Sequence, residues 1–338
     1  MRNFTILIVL VGFTALTYFG IEPYAHSVMH PHTSPADYEF KDLKAMPGKG
    51  DTAAGKEKTL MNCVACHAIE GDNIPKPVSK EELIAQYGLK SNVDLNFERL
   101  SNEYLGEMHG VVPLDLSNVG GIYNEKFLKN FIKYPAATAF ESTYILHKKS
   151  ALNAALADAD ATGKAKLQKE FDADIIAYKE KNKIAMPNHD WLPDQDIIDI
   201  VAYLKSISKE LTPKEATELA CVRCHSIKYD NVEAQTPAPI LKKYLGTTPP
   251  DLSQMIKSRS EHYLTVFIND PQKVLIGSSM PRVGLNKVTE DKVVAYLENV
   301  GDSSKEKRES MGIYVILFFV IFTIFAYFFK VNAFKDVH

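Results

Sequence analysis

Two uncharged, strongly apolar runs stand near the ends of the chain, at residues 4–20 and 313–329. A helix that crosses a membrane needs about 20 mostly apolar residues. We therefore predict an N-terminal membrane anchor at residues 1–21 and a C-terminal transmembrane helix at residues 309–330. A cleaved signal peptide is the alternative for the first run. That run exceeds the usual apolar stretch of about 7–15 residues, however, and no clear cleavage site follows it.

Between the two runs, the pattern favours helices. Asp51 is a favourable N-cap, and the apolar positions after it recur at steps of three and four residues, which predicts a helix over residues 51–69. Residues 22–50 contain four prolines, which discourage long helices, so we predict a tether at the membrane surface. A long irregular region is expected after the first helix, because prolines and Gly88 interrupt it. The fold is predicted to be mainly α-helical.

The chain repeats itself, and the repeat defines the predicted domains. Each half contains, in order, a C-x-x-C-H motif, a P-x-D-L-S segment, a helical segment, a Met-Pro dipeptide and a helix that ends in V-x-A-Y-L or nearly so. We assign residues 51–210 to a first domain, with a charged helical insertion at about 141–183, and residues 211–301 to a second. Thr212 and Glu215 form a capping-box pattern around Pro213, which predicts a helix start there.

Composition sets two limits on the function. The 338 residues are 46% hydrophobic, which is ordinary for a globular protein and does not indicate disorder of the whole chain. The formal net charge is -3, and no basic stripe with interleaved aromatic residues is present. Nucleic acid is therefore not predicted as a partner.

All four cysteines lie in the two C-x-x-C-H motifs, which are Cys63-Val64-Ala65-Cys66-His67 and Cys221-Val222-Arg223-Cys224-His225. Two thiols three residues apart can each add to one vinyl group of the same porphyrin, and the adjacent histidine then falls under the iron. This spacing is the attachment signature of c-type haem. We expect two covalently attached haem c groups, with His67 and His225 as iron ligands. Because covalent haem attachment implies export, the haem domains of this two-pass protein are predicted on the periplasmic side of the inner membrane.

An electron-transfer haem needs a sixth ligand, and a methionine thioether in that position raises the reduction potential. Met186 and Met280 are the best candidates, because each precedes a proline and both occupy equivalent points of the repeat. The alternative is a methionine that only fills the core. Met108, Met255 and His109 are further candidates.

Other residues are expected to support the haems. A ligating histidine usually donates its second ring nitrogen to a carbonyl or carboxylate. Pro250 would supply such a carbonyl rigidly in the second half, and Leu114 stands at the matching place in the first. Arg259 and Arg282 could neutralise haem propionates.

Zinc and thiol–disulfide exchange are alternative interpretations of the cysteine pairs. The pairs stand 155 residues apart, whereas C-x-x-C zinc modules usually place them about 15–20 residues apart. Zinc would also leave the repeated Met-Pro unexplained. No βαβ pattern surrounds either pair, so a thioredoxin-like site is not predicted.

Both halves resemble class I cytochrome c domains. The second half is similar to cytochrome c1 of the quinol:cytochrome c reductase (bc1) complex at residues 221–225, 249–253, 259, 262–263, 280 and 308–312. With residues 22–26 and two haem motifs, the whole chain resembles the dihaem cytochrome c subunit of bc1 complexes in epsilonproteobacteria. Ordinary cytochrome c1 has one haem and a cleaved leader, so the role of the first domain does not transfer from it.

The resemblance implies partners and a role. The partners would be the cytochrome b and Rieske iron–sulfur subunits, membrane lipid, and a soluble cytochrome c or an oxidase as electron acceptor. The chain would be an electron-transfer subunit and not catalytic alone. Two other functions stay open: the dihaem subunit through which electrons enter a terminal cytochrome c oxidase, and a dihaem peroxidase, which needs one haem with an open position.

Overall fold

The computed structural model describes residues 2–29, 36–90, 96–259 and 261–335. The predicted mainly helical fold is confirmed, since about two thirds of the structure is helical and its described residues form no extended sheet. The chain divides into a small unit, Met1–Ala36, and a large unit, Asp37–His338.

Residues 2–29 of the small unit are helical, in α1 (Arg2–Leu16), a π-helical turn (Thr17–Ile21) and α2 (Glu22–Met29). Residues 22–29 were assigned to the tether, but the helix continues through them. The π-helical turn ends at Ile21, two residues before Pro23, whose ring cannot fit the regular helical hydrogen-bond pattern. Thr5–Ala25 is long and apolar enough to cross a membrane.

The first copy of the repeat, residues 51–210, is built from eight α-helices among its described residues. They are α3 (Thr52–Asn62), α4 (Lys80–Tyr87), α5 (Phe97–His109), α6 (Val119–Ile122), α7 (Glu125–Lys133), α8 (Ser142–Ala157), α9 (Ala161–Lys181) and α10 (Asp194–Ile207). A 3₁₀ turn (Glu70–Asp72) follows α3, and a π-helical turn (Ala137–Glu141) precedes α8. The charged insertion is the α8–α9 hairpin, held by stacking of Tyr144 on Tyr178 at 3.6 Å between ring centroids.

The second copy, residues 211–301, follows the same order without the hairpin. Its elements are α11 (Pro213–Cys221), a 3₁₀ turn (Lys228–Asp230), α12 (Ala238–Leu245), α13 (Met255–Ser258), α14 (Glu261–Asn269), α15 (Pro271–Val274) and α16 (Lys287–Gly301). The predicted capping box is confirmed, because Thr212 Oγ1 accepts from the Glu215 amide and the Glu215 carboxylate accepts from the Thr212 amide. The last helix, α17 (Lys305–Ala333), is also long and apolar enough to cross a membrane.

The expectation of an irregular region after the first motif was wrong for two segments. Ser79 and Glu82 form a capping box that starts α4, and Asn96 caps α5 through its side chain. Val78, Leu83 and Leu105 then bury a small core between these two helices. The capping-box pattern was visible in the sequence, whereas the apolar contact between the helices was not.

Each copy has its own buried core, formed where its first helix crosses its last. In the first copy α3 approaches α10 so closely that a Cβ atom on Gly55 would overlap the Asp199 backbone carbonyl. Only glycine allows this approach, because any larger residue would push the two helices apart. Tyr123 packs against the cores of both copies, so the two are in contact.

Residues 37–50 lie against the folded body of the large unit. Phe40 is fully buried and packs on Phe127 with ring centroids 5.6 Å apart. Lys129 Nζ donates to the carbonyl oxygen of Met46 at 3.0 Å. This part of the assigned tether is therefore a packed element of the protein body.

Candidate haem-binding sites

The two C-x-x-C-H motifs form the same turn. Helix α3 ends at Asn62, and the amides of Cys66 and His67 then donate to the Cys63 carbonyl at 3.1 and 3.0 Å. The Cys221 carbonyl accepts from the amides of Cys224 and His225 at the same two distances. The first helix is therefore shorter than the predicted 51–69, because the motif itself is a tight turn that places both thiols of a pair in one loop.

The two motif histidines are oriented in the same way. His67 Nδ1 lies 2.7 Å from the Leu114 carbonyl oxygen, and His225 Nδ1 lies 2.7 Å from the Pro250 carbonyl oxygen. Burial lowers the pKa of both imidazoles, which favours the neutral ring. A neutral ring that donates from Nδ1 keeps its Nε2 lone pair for a metal. This is the arrangement that an axial ligand to iron requires.

The P-x-D-L-S segments hold these carbonyl groups in place. The carboxylate of Asp115 accepts from the Glu70 and Ser117 amides, and that of Asp251 accepts from the Lys228 and Ser253 amides, all at 2.7–3.0 Å. The Leu116 amide donates to Ala68, and the Leu252 amide donates to Ser226, both at 2.9 Å. The aspartates thus tie each carbonyl-bearing segment to the turn that follows its motif.

Sequence reasoning missed a further pair of contacts in each copy. Tyr203 and Tyr296, the tyrosines of the repeated A-Y-L ending, donate to Asp72 and Asp230 at 2.6 and 2.5 Å. Lysines 56 and 214 pair with the same aspartates at 2.6 and 2.7 Å. The signal was present in the repeat itself, because each tyrosine, aspartate and lysine recurs at the equivalent position.

The thiols differ from those of a thiol–disulfide exchange site. Burial, and to a lesser degree the neighbouring Cys66, raises the pKa of Cys63 to about 11. Burial raises the pKa of Cys221 to about 12 and that of Cys224 as well. Exchange-active cysteines have lowered pKa values. No three His, Cys, Asp or Glu side chains converge on a metal-sized site within the described ranges, so the pairs form no preformed zinc cage there.

The candidate methionines lie in equivalent loops. Met186 is half-buried between α9 and α10, and Met280 is half-buried between α15 and α16. His189 anchors the first loop, since its amide donates to the Lys133 carbonyl at 3.1 Å and its Nδ1 lies 3.2 Å from the Ile132 carbonyl. Sequence reasoning did not single out His189.

The weaker alternatives lie in other surroundings. Met108 is 57% exposed at the end of α5. Met255 packs at the edge of the second core. His109 ends α5, and partial burial lowers its pKa.

The two candidate arginines have different surroundings. Arg259 is exposed, with its guanidinium carbon 5.0 Å from the ring centroid of Tyr263. Arg282 is buried, and its guanidinium donates to both carboxylate oxygens of Asp42 and to the Asn269 carbonyl. The expectation that Arg282 serves a haem propionate is therefore corrected, because Asp42 already supplies its anion.

Comparison with known proteins agrees with this chemistry. Residues 52–208 match the family model for cytochrome c. A chain of a solved structure described as a hyperthermophilic respiratory Complex III is 25% identical, with a TM-score of 0.31, over 37% of this chain and 75% of that one. No curated protein matches the chain. The chain thus contains a cytochrome c domain, a class of domain that binds haem c covalently and transfers electrons.

Proposed function

We propose that this protein is a membrane-anchored dihaem c-type cytochrome of a quinol-oxidising, bc1-type complex. The observation that carries the proposal is the duplicated site geometry. Each motif has two thiols on one turn and a histidine whose Nδ1 lies 2.7 Å from a carbonyl oxygen. The second copy lies outside the residues that match cytochrome c, but it repeats the bonds of the first.

The residues present fit haem c. When bound, haem c supplies an iron that is reversibly oxidised and reduced by one electron. Cys63 and Cys66 in the first copy, and Cys221 and Cys224 in the second, would form the thioether bonds. His67 and Met186 would hold the first iron and His225 and Met280 the second, so neither iron would have an open position for peroxide.

The residues around each site would hold the histidine ring in the same orientation in the oxidised and the reduced states of the haem. The carbonyl groups of Leu114 and Pro250 keep the imidazole rings oriented, and Pro250 does so from a rigid backbone. Arg259 would pair with a propionate of the second haem from the exposed surface. A fixed geometry reduces the reorganisation that accompanies electron transfer, which suits a carrier.

The two apolar helices would anchor the chain in the inner membrane. Covalent haem attachment takes place outside the cytoplasm, so both copies of the repeat would lie on the periplasmic side. Helix α17 carries Lys305, Lys307 and Arg308 in its first turns and Lys330 near its end, so its charges alone do not set the orientation.

The partners follow from the resemblance of the second half to cytochrome c1. The chain would accept electrons from a Rieske iron–sulfur protein beside cytochrome b and pass them to a periplasmic cytochrome c or an oxidase. The exposed apolar surface of α17 supports a place among membrane-embedded neighbours, because such a surface is stable only in lipid or against other helices.

The test is to purify the chain from its native membrane in mild detergent and add a quinol. We expect cytochrome b and a Rieske protein to copurify and the c haems to be reduced by quinol. A preparation stripped of the Rieske protein is the control, and its c haems should stay oxidised. Failure of quinol to reduce the c haems of the intact complex would overturn the proposal.

The same experiment separates the two competing functions. Copurification with a copper- and haem-containing subunit, in place of cytochrome b, would assign the chain to a terminal oxidase. Turnover of hydrogen peroxide by the purified chain would require an open iron position and would assign it to the peroxidases.

A further inference from the structure

One side chain of the second motif lacks the partner that its burial requires. Arg223 stands between Cys221 and Cys224, and its Nε atom is buried with no hydrogen-bond partner among the described residues. A buried N–H group without an acceptor is destabilising, because it loses its hydration and gains nothing in return. The side chain as a whole is half-buried, so this Nε is a donor for which the described residues supply no acceptor.

The backbone of Arg223 is tied to the first copy of the repeat. The amide of Thr236, a fully buried residue, donates to the Arg223 carbonyl at 3.2 Å. Thr236 Oγ1 in turn accepts from the Val112 amide at 3.0 Å. Val112 is two residues before Leu114, whose carbonyl oxygen lies 2.7 Å from His67 Nδ1. The turn of the second C-x-x-C-H motif thus lies against the segment whose carbonyl group orients His67.

The side chains around Arg223 belong to the same junction. Tyr244 of α12 accepts a hydrogen bond from the Ala185 amide at 3.0 Å, directly before Met186. Burial raises the pKa of Tyr244, and the positive charge of Arg223 opposes that rise. Through Tyr244 the second copy thus contacts the loop that carries Met186.

The chemistry of the porphyrin indicates which haem supplies the anion. The vinyl groups that become thioethers and the two propionates occupy opposite edges of the ring. A residue between Cys221 and Cys224 stands at the thioether edge of its own haem, away from that haem's propionates. Arg223 would therefore meet a carboxylate other than its own haem's propionates, and the segment that its turn contacts belongs to the first copy.

We propose that Arg223, from the second attachment motif, binds a propionate of the haem held by Cys63 and Cys66. The inference rests on the proposed function, because it needs a haem in each copy. A guanidinium suits this role, since its planar donors match a carboxylate. Its positive charge also favours the reduced, less positive haem. Arg223 would thereby raise the reduction potential of the first haem and link the two sites.

The test compares Arg223→Gln, Arg223→Lys and the control Arg99→Gln in redox titrations of the full chain in detergent. Arg99 is an exposed arginine of α5, so its replacement makes the same charge change away from the junction. A Cys63→Ala background leaves one vinyl group on the first haem and shifts its absorbance, so the two haems are followed separately. Redox-difference infrared spectra of the chain without the Cys63→Ala substitution give a second readout through the propionate bands.

We expect Arg223→Gln to raise the ratio of oxidised to reduced first haem at least tenfold at a fixed potential. This corresponds to a reduction potential lower by about 59 mV for a one-electron couple. Arg223→Lys should keep most of the wild-type value, and Arg99→Gln should change neither haem. The inference would be overturned if Arg223→Gln left both the reduction potential of the first haem and the propionate bands unchanged. It would also be overturned if the Lys and Gln variants had equal effects. If two haems are bound, only this inference then fails. Fewer than two haems per chain would defeat the proposed function with it.

Discussion

Arg282 and Asp42 form a buried, two-point ion pair, with guanidinium–carboxylate distances of 2.7 and 3.0 Å. Asp42 lies in the segment before the first copy, and Arg282 follows Met280 and Pro281 in the loop that would hold the second iron. The Arg282 amide also donates to the Ala139 carbonyl at 2.8 Å. The loop of Met280 is therefore fixed by residues from outside its own copy.

Replacing Asp42 with Asn should destabilise the protein strongly. Burial alone would raise the pKa of Asp42, but Arg282 lowers it below the usual value, so the carboxylate is charged at neutral pH. Its loss leaves an unpaired buried guanidinium, which costs about 3–5 kcal/mol. Thermal unfolding followed by circular dichroism in detergent would measure the change.

Glu170→Gln is the matched control for Asp42→Asn. It breaks the exposed pair of Lys166 and Glu170 within α9, whose loss should cost about 0.3–0.5 kcal/mol. Equal melting temperatures for Asp42→Asn and Glu170→Gln would show that the buried pair does not stabilise the Met280 loop.

Local signals in the sequence were enough to predict several helix starts and the internal repeat. Asp51 accepts from the amides of Ala53 and Ala54 as an N-cap should, and Thr212 and Glu215 form their capping box. These features depend on residues only a few positions apart. The tight turn of the first C-x-x-C-H motif was not predicted, because the helix was expected to continue through it to residue 69.

Contacts between residues far apart in the chain could not be predicted from the sequence. The pairing of Arg282 with Asp42 joins residues 240 positions apart, and burial of Phe40 depends on Phe127. Proline content suggested a tether over residues 22–50, but apolar residues at 37–50 pack on the body. Arg223 also gave no signal, because its unpartnered Nε is visible only once both copies are folded.

Replacing either candidate methionine ligand with alanine should change the spectrum and the reduction potential of one haem. Met186→Ala and Met280→Ala should each abolish a distinct low-spin, methionine-ligated spectral signal and lower one potential by about 0.1 V or more, within the roughly 0.8 V that axial ligands span. Low-temperature absorbance and redox titration would measure both effects. Met108→Ala is the control, because that side chain is 57% exposed. Unchanged spectra in both ligand variants would refute the assignment.

Glu290 should make stability depend on pH near neutrality. The residue is fully buried, Tyr38 donates to one carboxylate oxygen, and the other has no partner among the described residues. Burial raises the pKa of Glu290 to about 7, above its usual 4.5. Its contribution to stability is therefore complete below pH 4.5 and is lost as pH rises through about 7, by at most about 3 kcal/mol.

Glu290→Gln should remove this pH dependence and raise the melting temperature above pH 7 relative to wild type. Glu233→Gln, at an exposed position, should leave the pH profile of the wild type unchanged. The measurement is a series of thermal melts between pH 4.5 and 8. A Glu290→Gln profile parallel to the wild type across this range would contradict the prediction.

Gly55→Ala should push α3 away from α10. The added Cβ would overlap the Asp199 carbonyl, and relief of that overlap requires the helices to move, at a cost of about 1–3 kcal/mol. Gly312→Ala is the control, since a Cβ there meets no atom within 4 Å. Equal urea midpoints for the two variants in detergent would show that the helix crossing tolerates a side chain.

The number of covalently bound haems per chain tests the account most directly. Purified protein should be extracted with acid acetone, and the haem retained by the polypeptide should be counted by pyridine haemochrome absorbance and by intact mass. We predict two haems that resist extraction, one lost on Cys63→Ser with Cys66→Ser and the other on Cys221→Ser with Cys224→Ser. A single retained haem, or haem that the solvent removes, would contradict the duplicated site.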